Sequence, residues 1–169
     1  ASLHKWLCAP LGTGILYIKK EKIKDVWPLF GDTTYPPDDI RKFEHIGTHP
    51  VSSEITIPDA IRFHNSIGSM RKEERLRYLK NYWVEKARNL PKVVINTPKR
   101  DELSCAIANV AVDGTTPAEV ADYLFNKHKI FTVAIETEAV KGVRVTPHLY
   151  TRIEDLDLLV RSIEELCGS

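Results

Sequence analysis

The C-terminal half of the chain alternates between strand-like and helix-like patterns, and this alternation limits the folds that the sequence can adopt. Four apolar runs have the length of buried strands, at residues 93–95, 106–112, 130–135 and 143–146. Thr116 to Glu119 and Thr151 to Glu154 each form a helix-capping box, the first with proline at the first helical position. We therefore expect an α/β fold with an α+β-like C-terminal domain, in which helices pack on a small mixed sheet.

Two helices are predicted upstream of this half. The first opens at Thr56, which can cap it, has Pro58 in its first turn and stops at Gly68. The second spans residues 70–90 with Ser69 as its cap, and one apolar stripe runs along it: Leu76, Leu79, Trp83, Ala87 and Leu90. Its charged side chains are expected on the other face: Arg71, Lys72, Glu74, Lys80, Glu85 and Arg88. Interleaved acidic residues favour an ordinary solvated face over a nucleic-acid surface.

Shorter patterns precede these helices. Residues 14–19 predict a short buried strand, and residues 21–27 predict a short helix. Residues 32–39 contain two adjacent prolines and predict a loop. The N-terminal part of the chain should therefore be poorer in regular structure than the C-terminal half.

Two histidines raise the question of a metal site. His45 and His49 have the i,i+4 spacing of a helical metal pair. Gly47 and Pro50 oppose a helix at this place. We therefore expect that the chain holds no metal.

Composition and charge argue against several classes of partner. The formal net charge is +1 and the isoelectric point is near 7.9, which gives no basis for binding nucleic acid or an anionic membrane. No apolar run approaches the length of a membrane span. Cys8, Cys105 and Cys167 are widely spaced without a CxxC, which is typical of reduced thiols. We expect a cytoplasmic protein without nucleic-acid or membrane partners.

Residues 1–17 bring reactive side chains close together in the sequence. The hydroxyl of Ser2 and the imidazole of His4 can both bond a phosphate, and the amine of Lys5 can condense with an aldehyde. Most lysines are solvated surface groups, so only its neighbours distinguish Lys5 from the others. The segment continues through Gly12 and Gly14 into an apolar run.

This segment, Ser2-Leu3-His4-Lys5 followed by Ala9 to Tyr17, resembles the cofactor-lysine segment of class V aminotransferases. These are fold-type I enzymes that depend on pyridoxal 5'-phosphate (PLP). The resemblance implies that Lys5 holds the cofactor as a Schiff base and that Ser2 and His4 contact its phosphate. The family usually has glycine where this chain has Leu3. The sequence variants look closest to the isopenicillin-N-epimerase-like branch.

Two later motifs resemble the same family. Gly142 to Thr151 is similar to a segment whose arginine, here Arg144, binds the substrate carboxylate. A guanidinium suits that role because its planar fork matches a carboxylate with two parallel hydrogen bonds. On a strand, Arg144 would face away from the core side of Val143 and Val145. Gly47-Thr48 resembles a motif whose threonine reaches the phosphate of the partner subunit's cofactor, which implies a homodimer.

The resemblance covers essentially all of the chain but only the C-terminal portion of such an enzyme. It implies that residues 1–50 are the tail of the large PLP-binding domain and carry the cofactor lysine. Residues 51–68 would form a connecting helix, and residues 69–169 the C-terminal small domain. The other cofactor contacts of the family are expected in a missing N-terminal portion of the same protein.

The resemblance implies an enzyme of the aminotransferase or epimerase type that acts on an amino acid, with Lys5 as the base at Cα. A cysteine desulfurase or lyase of the same family is an alternative, but it needs a mobile cysteine upstream of the arginine. Residues 126–143 contain none. Cys105 lies in a strand-like apolar run, where a cysteine is normally inert. The remaining alternative is a catalytically incomplete fragment that acts only as a structural or dimerisation domain.

Overall fold

The computed structural model describes residues 1–31 and 34–168 and divides into two compact units. We call Ala1–Ser66 the N-terminal unit and Ile67–Ser169 the C-terminal unit. Asp32 and Thr33, at the start of the predicted loop, lie outside the described residues. The boundary between the units falls near the end of the predicted connecting helix, and the domain limits given above stay a prediction.

Short elements make up the N-terminal unit. Two 3-10 helices span Lys20–Asp25 and Ile40–Phe43, and two α-helices follow, α1 at Val51–Ile55 and α2 at Ile57–Ile67. The helix predicted at residues 21–27 is therefore a 3-10 helix, and Ile23 is its buried residue. The buried Lys42 ties these turns together, because its Nζ donates to the carbonyls of Ile23 and Pro37 at 2.6 Å each.

The buried strand predicted at residues 14–19 is wrong. Within the described ranges its only ladder contact is a single bridge between Ser2 and Gly14. Ile15, Leu16 and Tyr17 are 59%, 64% and 81% exposed. Residues 1–3 pair only with residues 13–15, so most of this run has no strand beside it among the described residues and its side chains stay exposed.

The helix predicted to open at Thr56 begins differently. The backbone already enters helix α1 at Val51, and Thr56 follows its last residue. The Thr56 hydroxyl donates back to the carbonyls of Ser52 and Ser53 at 3.1 Å each instead of capping α2. Pro58 lies in the first turn of α2, as expected.

A four-stranded sheet is the centre of the C-terminal unit. Its strands are β1 (Val93–Ile95), β2 (Ala108–Val112), β3 (Val133–Glu136) and β4 (Lys141–Val145), in the order β1-β2-β4-β3. All three pairings are antiparallel, so the small sheet is confirmed but is not mixed. The reason is topological: β4 lies between β2 and β3, so these two parallel strands are not neighbours.

Three helices cover one face of this sheet: α3 (Ser69–Ala87), α4 (Pro117–His128) and α5 (Ile153–Gly168). The core between the layers contains Leu79, Trp83, Val110, Val120, Leu124, Val143 and Ile163, all at most 1% exposed. The expected α/β class with helices packed on a small sheet is confirmed. No helix in the described part of the chain is long and apolar enough to cross a membrane.

Helix α3 confirms the apolar stripe and corrects its polar face. Leu76, Leu79, Trp83 and Ala87 are buried. Lys72 and Lys80 were expected in solvent, yet they are 5% and 2% exposed. The Lys80 ammonium donates to the Ser104 hydroxyl at 2.8 Å, and a long aliphatic stem lets such a residue line a core boundary. The helix begins at Ser69 behind Gly68, so Ser69 is not the cap.

One of the two predicted capping boxes is confirmed. Thr116 Oγ1 accepts from the Glu119 amide at 3.3 Å, and the Glu119 carboxylate accepts from the Thr116 amide at 2.7 Å. The box predicted from Thr151 to Glu154 is wrong. The Thr151 hydroxyl accepts from the His148 amide, while Asp155 accepts from the Arg152 amide at 3.2 Å. Because the Thr151 hydroxyl is bonded within the turn before α5, it does not cap the helix. The helix begins at Ile153, one residue later than the predicted box implies.

Candidate functional site

The segment that carries Lys5 is a loop closed by backbone hydrogen bonds. The Leu3 amide donates to the Thr13 carbonyl, and the Ala9 amide donates to the Leu3 carbonyl, both at 3.1 Å. Within this frame the Cys8 amide donates to the Lys5 carbonyl at 3.0 Å. Lys5 therefore lies at the tip of a turn whose two ends are held together, which limits the positions open to its amine.

The three candidate side chains of this loop differ in exposure. Ser2 and Lys5 are exposed, and His4 is half-buried with its Nδ1 3.4 Å from the Thr13 carbonyl. If Nδ1 carries the proton in that contact, Nε2 donates to an anion only when the imidazole is charged. A hydroxyl, an imidazole and a primary amine within four residues fit a phosphate-bearing aldehyde by their chemistry.

Thr48 also belongs to the N-terminal unit, where it is exposed after a glycine turn. Gly47 has a φ of +75°, a conformation that side-chain-bearing residues adopt at a cost. The Gly47 carbonyl lies 2.9 Å from His49 Nδ1, and Glu54 lies 3.2 Å from His49 Nε2. These two contacts raise the pKa of His49, and the hydrogen bond with the Gly47 carbonyl is the largest single cause. No helix forms at His45, as expected.

Arg144 lies in the middle of β4 in the C-terminal unit. Its neighbours Val143 and Val145 are buried while Arg144 is exposed, so the expected alternation is confirmed. In the register of the sheet it stands opposite Asn109 on β2 and Val133 on β3. Within residues 1–31 and 34–168 no hydrogen bond or ion pair engages its guanidinium. It is available to bind an anion.

The turn that follows β4 is held from helix α3. Arg75 donates to the carbonyls of Leu149 and Thr151, at 3.5 and 3.2 Å. The rings of His148 and Tyr150 stack with their centroids 4.3 Å apart. These contacts order the later part of the motif that begins at Gly142.

Two asparagines were missed from the sequence: Asn109, which is the register partner of Arg144, and Asn96, which bonds to Asn109. Asn96, just after β1, donates through Nδ2 to Asn109 Oδ1 at 2.7 Å and to the Lys141 carbonyl at 2.8 Å. The signal that could have found them is the polar Asn109 inside the apolar strand run 106–112. A polar side chain at the centre of such a strand usually has a specific partner.

Cys105 differs from its expected environment. It lies in a bend before β2, outside the strand, and it is half-buried. The strand is shorter than the apolar run because its ladder begins at Ala108. Among the described residues, no group of three or more metal-binding side chains comes together.

The structure thus places the predicted site residues in both units. Ser2, His4 and Lys5 share one closed loop of the N-terminal unit, and Thr48 lies on a separate turn of that unit. Arg144 belongs to the sheet of the C-terminal unit. The roles assigned to these five residues stay predictions.

Comparison with known proteins supplies the family. The family model for Aminotransferase class-V matches residues 1–159. Isopenicillin N epimerase of Streptomyces clavuligerus is 25% identical over 182 residues, which cover 98% of this chain and 46% of that protein. The apo structure of a cysteine desulfurase from Thermococcus onnurineus NA1 matches with a TM-score of 0.81 and 25% identity, over 99% of this chain and 46% of that one.

A third similarity concerns the fold and a ligand of the neighbour. A mutant of C-DES with glycine covalently linked to its PLP cofactor matches with a TM-score of 0.74 and 15% identity. That match covers 97% of this chain and 44% of the other. The chain spans about half the length of the curated relatives it matches. Because the family match extends over most of the sequence, from Ala1 to Leu159, the chain belongs to the class V aminotransferase family.

Proposed function

We propose that this chain is the C-terminal part of a PLP-dependent enzyme that acts on an amino acid, of the aminotransferase or epimerase type. The observation that carries the proposal is the closed loop from Leu3 to Thr13, which holds the exposed Lys5 between paired backbone segments. Family membership supports it, as does the PLP bound to a neighbour of the same fold.

The N-terminal loop would hold the cofactor. The Ser2 hydroxyl and the His4 imidazole would donate to its phosphate, and the Lys5 amine would hold its aldehyde carbon. A charged imidazole has a proton on both ring nitrogens, so it could donate to the phosphate through Nε2 and to the Thr13 carbonyl through Nδ1. When bound, the cofactor supplies an electron sink for the pair left at the substrate Cα.

The chain's own residues then bind the substrate and move a proton. The Arg144 guanidinium binds the substrate carboxylate through two parallel charge-assisted hydrogen bonds and so orients the Cα–H bond. The Lys5 amine takes the proton from Cα as a general base. A proton returned to the other face of Cα gives the epimer, and a proton returned elsewhere leads to transamination.

We further propose a cytoplasmic homodimer in which Thr48 donates to the phosphate bound by the partner subunit. The exposed position of Thr48, directly after the Gly47 turn, supports this role. The missing N-terminal portion would supply the remaining cofactor contacts.

A cysteine desulfurase is the second candidate function. A desulfurase structure with a TM-score of 0.81 and the half-buried position of Cys105 favour it. The absence of cysteine from residues 126–143 still opposes it. Formation of alanine from L-cysteine by the intact protein, with sulfide released when an added dithiol reduces the persulfide on Cys105, and with both products lost in Cys105→Ser, would decide for the desulfurase.

The proposal is tested by trapping the cofactor. The intact protein that contains this chain is incubated with PLP, reduced with borohydride and digested, and the labelled peptide is sequenced. We expect the label at Lys5 and its loss in Lys5→Ala. The matched control is Lys19→Ala, which changes an exposed lysine of the same unit and should keep the label.

Two results would contradict the proposal. A label confined to another lysine would remove Lys5 from the reaction. An intact protein that forms no reducible adduct would leave the structural or dimerisation domain as the better description of this chain.

A further inference from the structure

We propose that Asn96 is a positioning residue for Arg144, acting through an amide clasp across one face of the sheet. The clasp comprises Asn96, Asn109 and the backbone of Lys141 and Gly142. The inference rests on the proposed function, because it takes Arg144 as the group that binds the substrate carboxylate.

The clasp joins three strands through one side-chain amide. Asn96 Nδ2 has two hydrogens, and it donates one to Asn109 Oδ1 on β2 and one to the carbonyl of Lys141 on β4. The Asn96 backbone amide also donates to the Asn109 carbonyl at 3.0 Å. One residue after β1 therefore fixes the separation of β2 and β4 at the point where β4 begins.

Among the described residues, the hydrogen bond from Asn96 is the one that engages the side-chain amide of Asn109. Its Nδ2 is buried and has no hydrogen-bond partner there. The bond from Asn96 to Oδ1 is thus the anchor of this side chain. Loss of that bond would free the amide to rotate in search of a partner for its buried nitrogen, because unpaired buried donors are costly.

Gly142 lets the clasp close. Its φ is +149°, and a Cβ built there would collide with Asn109 Oδ1 and lie 2.6 Å from the Val110 carbonyl oxygen. The backbone of β4 therefore passes directly against the Asn109 amide. Only a residue without a side chain permits this approach.

The clasp lies next to Arg144, the residue proposed to bind the substrate carboxylate. Asn109 is the direct register partner of Arg144, and Gly142 lies two residues before it on the same strand face. A shift of β4 relative to β2 would move the base of the Arg144 side chain. A bidentate guanidinium contact depends strongly on orientation. Such a shift therefore lowers the affinity for the carboxylate more than it lowers the stability of the fold.

The test uses the intact enzyme with PLP and two variants of the clasp. Asn96→Asp is isosteric but points a carboxylate oxygen at two acceptors, and Asn96→Ala removes the donors without adding repulsion. The matched control is Asn89→Asp, an exposed asparagine of the same unit whose amide donates to the Glu85 carbonyl. The enzyme is titrated with the twenty common L-amino acids, followed by cofactor absorbance. The tightest ligand is then compared with the amine that lacks its carboxylate.

We expect Asn96→Asp to lower the affinity for the amino acid about fivefold and Asn96→Ala to lower it about threefold, since the net contribution of each hydrogen bond is modest. Affinity for the amine without a carboxylate should not change. A second readout is independent of the cofactor: amide hydrogen exchange of residues 141–145 should accelerate in both Asn96 variants and stay unchanged in Asn89→Asp.

The outcomes separate this inference from the proposed function. If Arg144→Gln lowers the affinity for the amino acid but both Asn96 variants leave that affinity unchanged, the positioning role of Asn96 is wrong and the proposed function stands. If Arg144→Gln has no effect, or no amino acid binds, the proposed function itself is wrong. If the Asn96 variants lose equal affinity for the amino acid and for the amine, Asn96 has a general structural role, and this would also overturn the positioning role.

Discussion

The two units of this protein differ in how far they bury their apolar side chains. In the C-terminal unit, the apolar faces of three helices and one sheet meet in a continuous core in which Trp83 and Ile163 are fully buried. In the N-terminal unit, Trp27 and Leu29 are each 91% exposed. The C-terminal unit thus builds a continuous core, although Phe131 on its surface is 77% exposed, whereas Ile23 is the one large apolar side chain that is buried among the described residues of the N-terminal unit.

The difference follows from secondary structure. An amphipathic helix or a half-buried strand gathers its apolar residues on one face, where another layer can cover them. The 3-10 turns of the N-terminal unit are too short to do so, and polar contacts such as those of Lys42 hold them. The homodimer proposed above would cover part of this apolar surface.

The largest expected effect comes from the two tryptophans that represent these environments. Trp83→Ala should lower the free energy of unfolding by about 3–5 kcal/mol, because it removes a fully buried ring from the core. Trp27→Ala should change it by less than about 0.5 kcal/mol. Urea unfolding of the 169-residue chain, followed by circular dichroism, measures both. Equal losses would mean that the exposed apolar surface is part of a core.

A second contrast uses glycines with positive φ. Gly142→Ala should cost about 3 kcal/mol, because its Cβ would meet Asn109 and Val110 in addition to the backbone strain. Gly12 has a φ of +84° and no atom within 4 Å of a built Cβ. Gly12→Ala should therefore cost only about 1 kcal/mol, the price of the conformation alone. Thermal unfolding of both variants measures the difference, and a cost at Gly12 as large as that at Gly142 would refute the steric explanation.

The sequence predicted the C-terminal unit better than the N-terminal unit for the same reason. The stripe at Leu76, Leu79 and Trp83 is local, and its period alone indicates a buried helix face. The run from Ile15 to Tyr17 has an equally apolar pattern. Whether such a run is buried depends on a neighbouring strand, which the local sequence does not encode.

Chemical roles were less accessible than elements. The alternation around Arg144 was predictable, because a strand sends successive side chains to opposite faces. The clasp of Asn96 and Asn109 was not predictable. It links a residue just after β1 to β2 and β4, and this contact forms only once the sheet is assembled. Lys80 was assigned to solvent because its charge is evident in the sequence, whereas its contact with Ser104 is tertiary.

Two threonines that were both predicted to cap helices provide a smaller contrast. Thr116→Ala should cost about 1 kcal/mol, because the hydroxyl accepts from the Glu119 amide and leaves it unsatisfied when removed. Thr56→Ala should change stability by less than about 0.5 kcal/mol, since its hydroxyl only donates back to carbonyls of α1. Urea midpoints of the two variants measure this, and the reverse order would show that Thr56 caps α2 after all.

The smallest effect concerns a polar contact that stands in for apolar packing in the N-terminal unit. The side-chain and backbone hydrogen bonds from Arg41 lower the pKa of Asp39 from 3.8 to about 2. Because the folded pKa is depressed, this pair contributes stability fully above pH 3.8, and the contribution is lost as the pH falls through about 2. Arg41→Gln should return the Asp39 pKa toward 3.8 in a carbon-13 NMR titration, whereas Arg62→Gln, which removes another arginine of the same unit, should leave it low. An Asp39 that titrates near 3.8 in the unaltered chain would show that this turn is held by something other than the Arg41 contact, and the contrast between a polar and an apolar unit would lose its clearest local example.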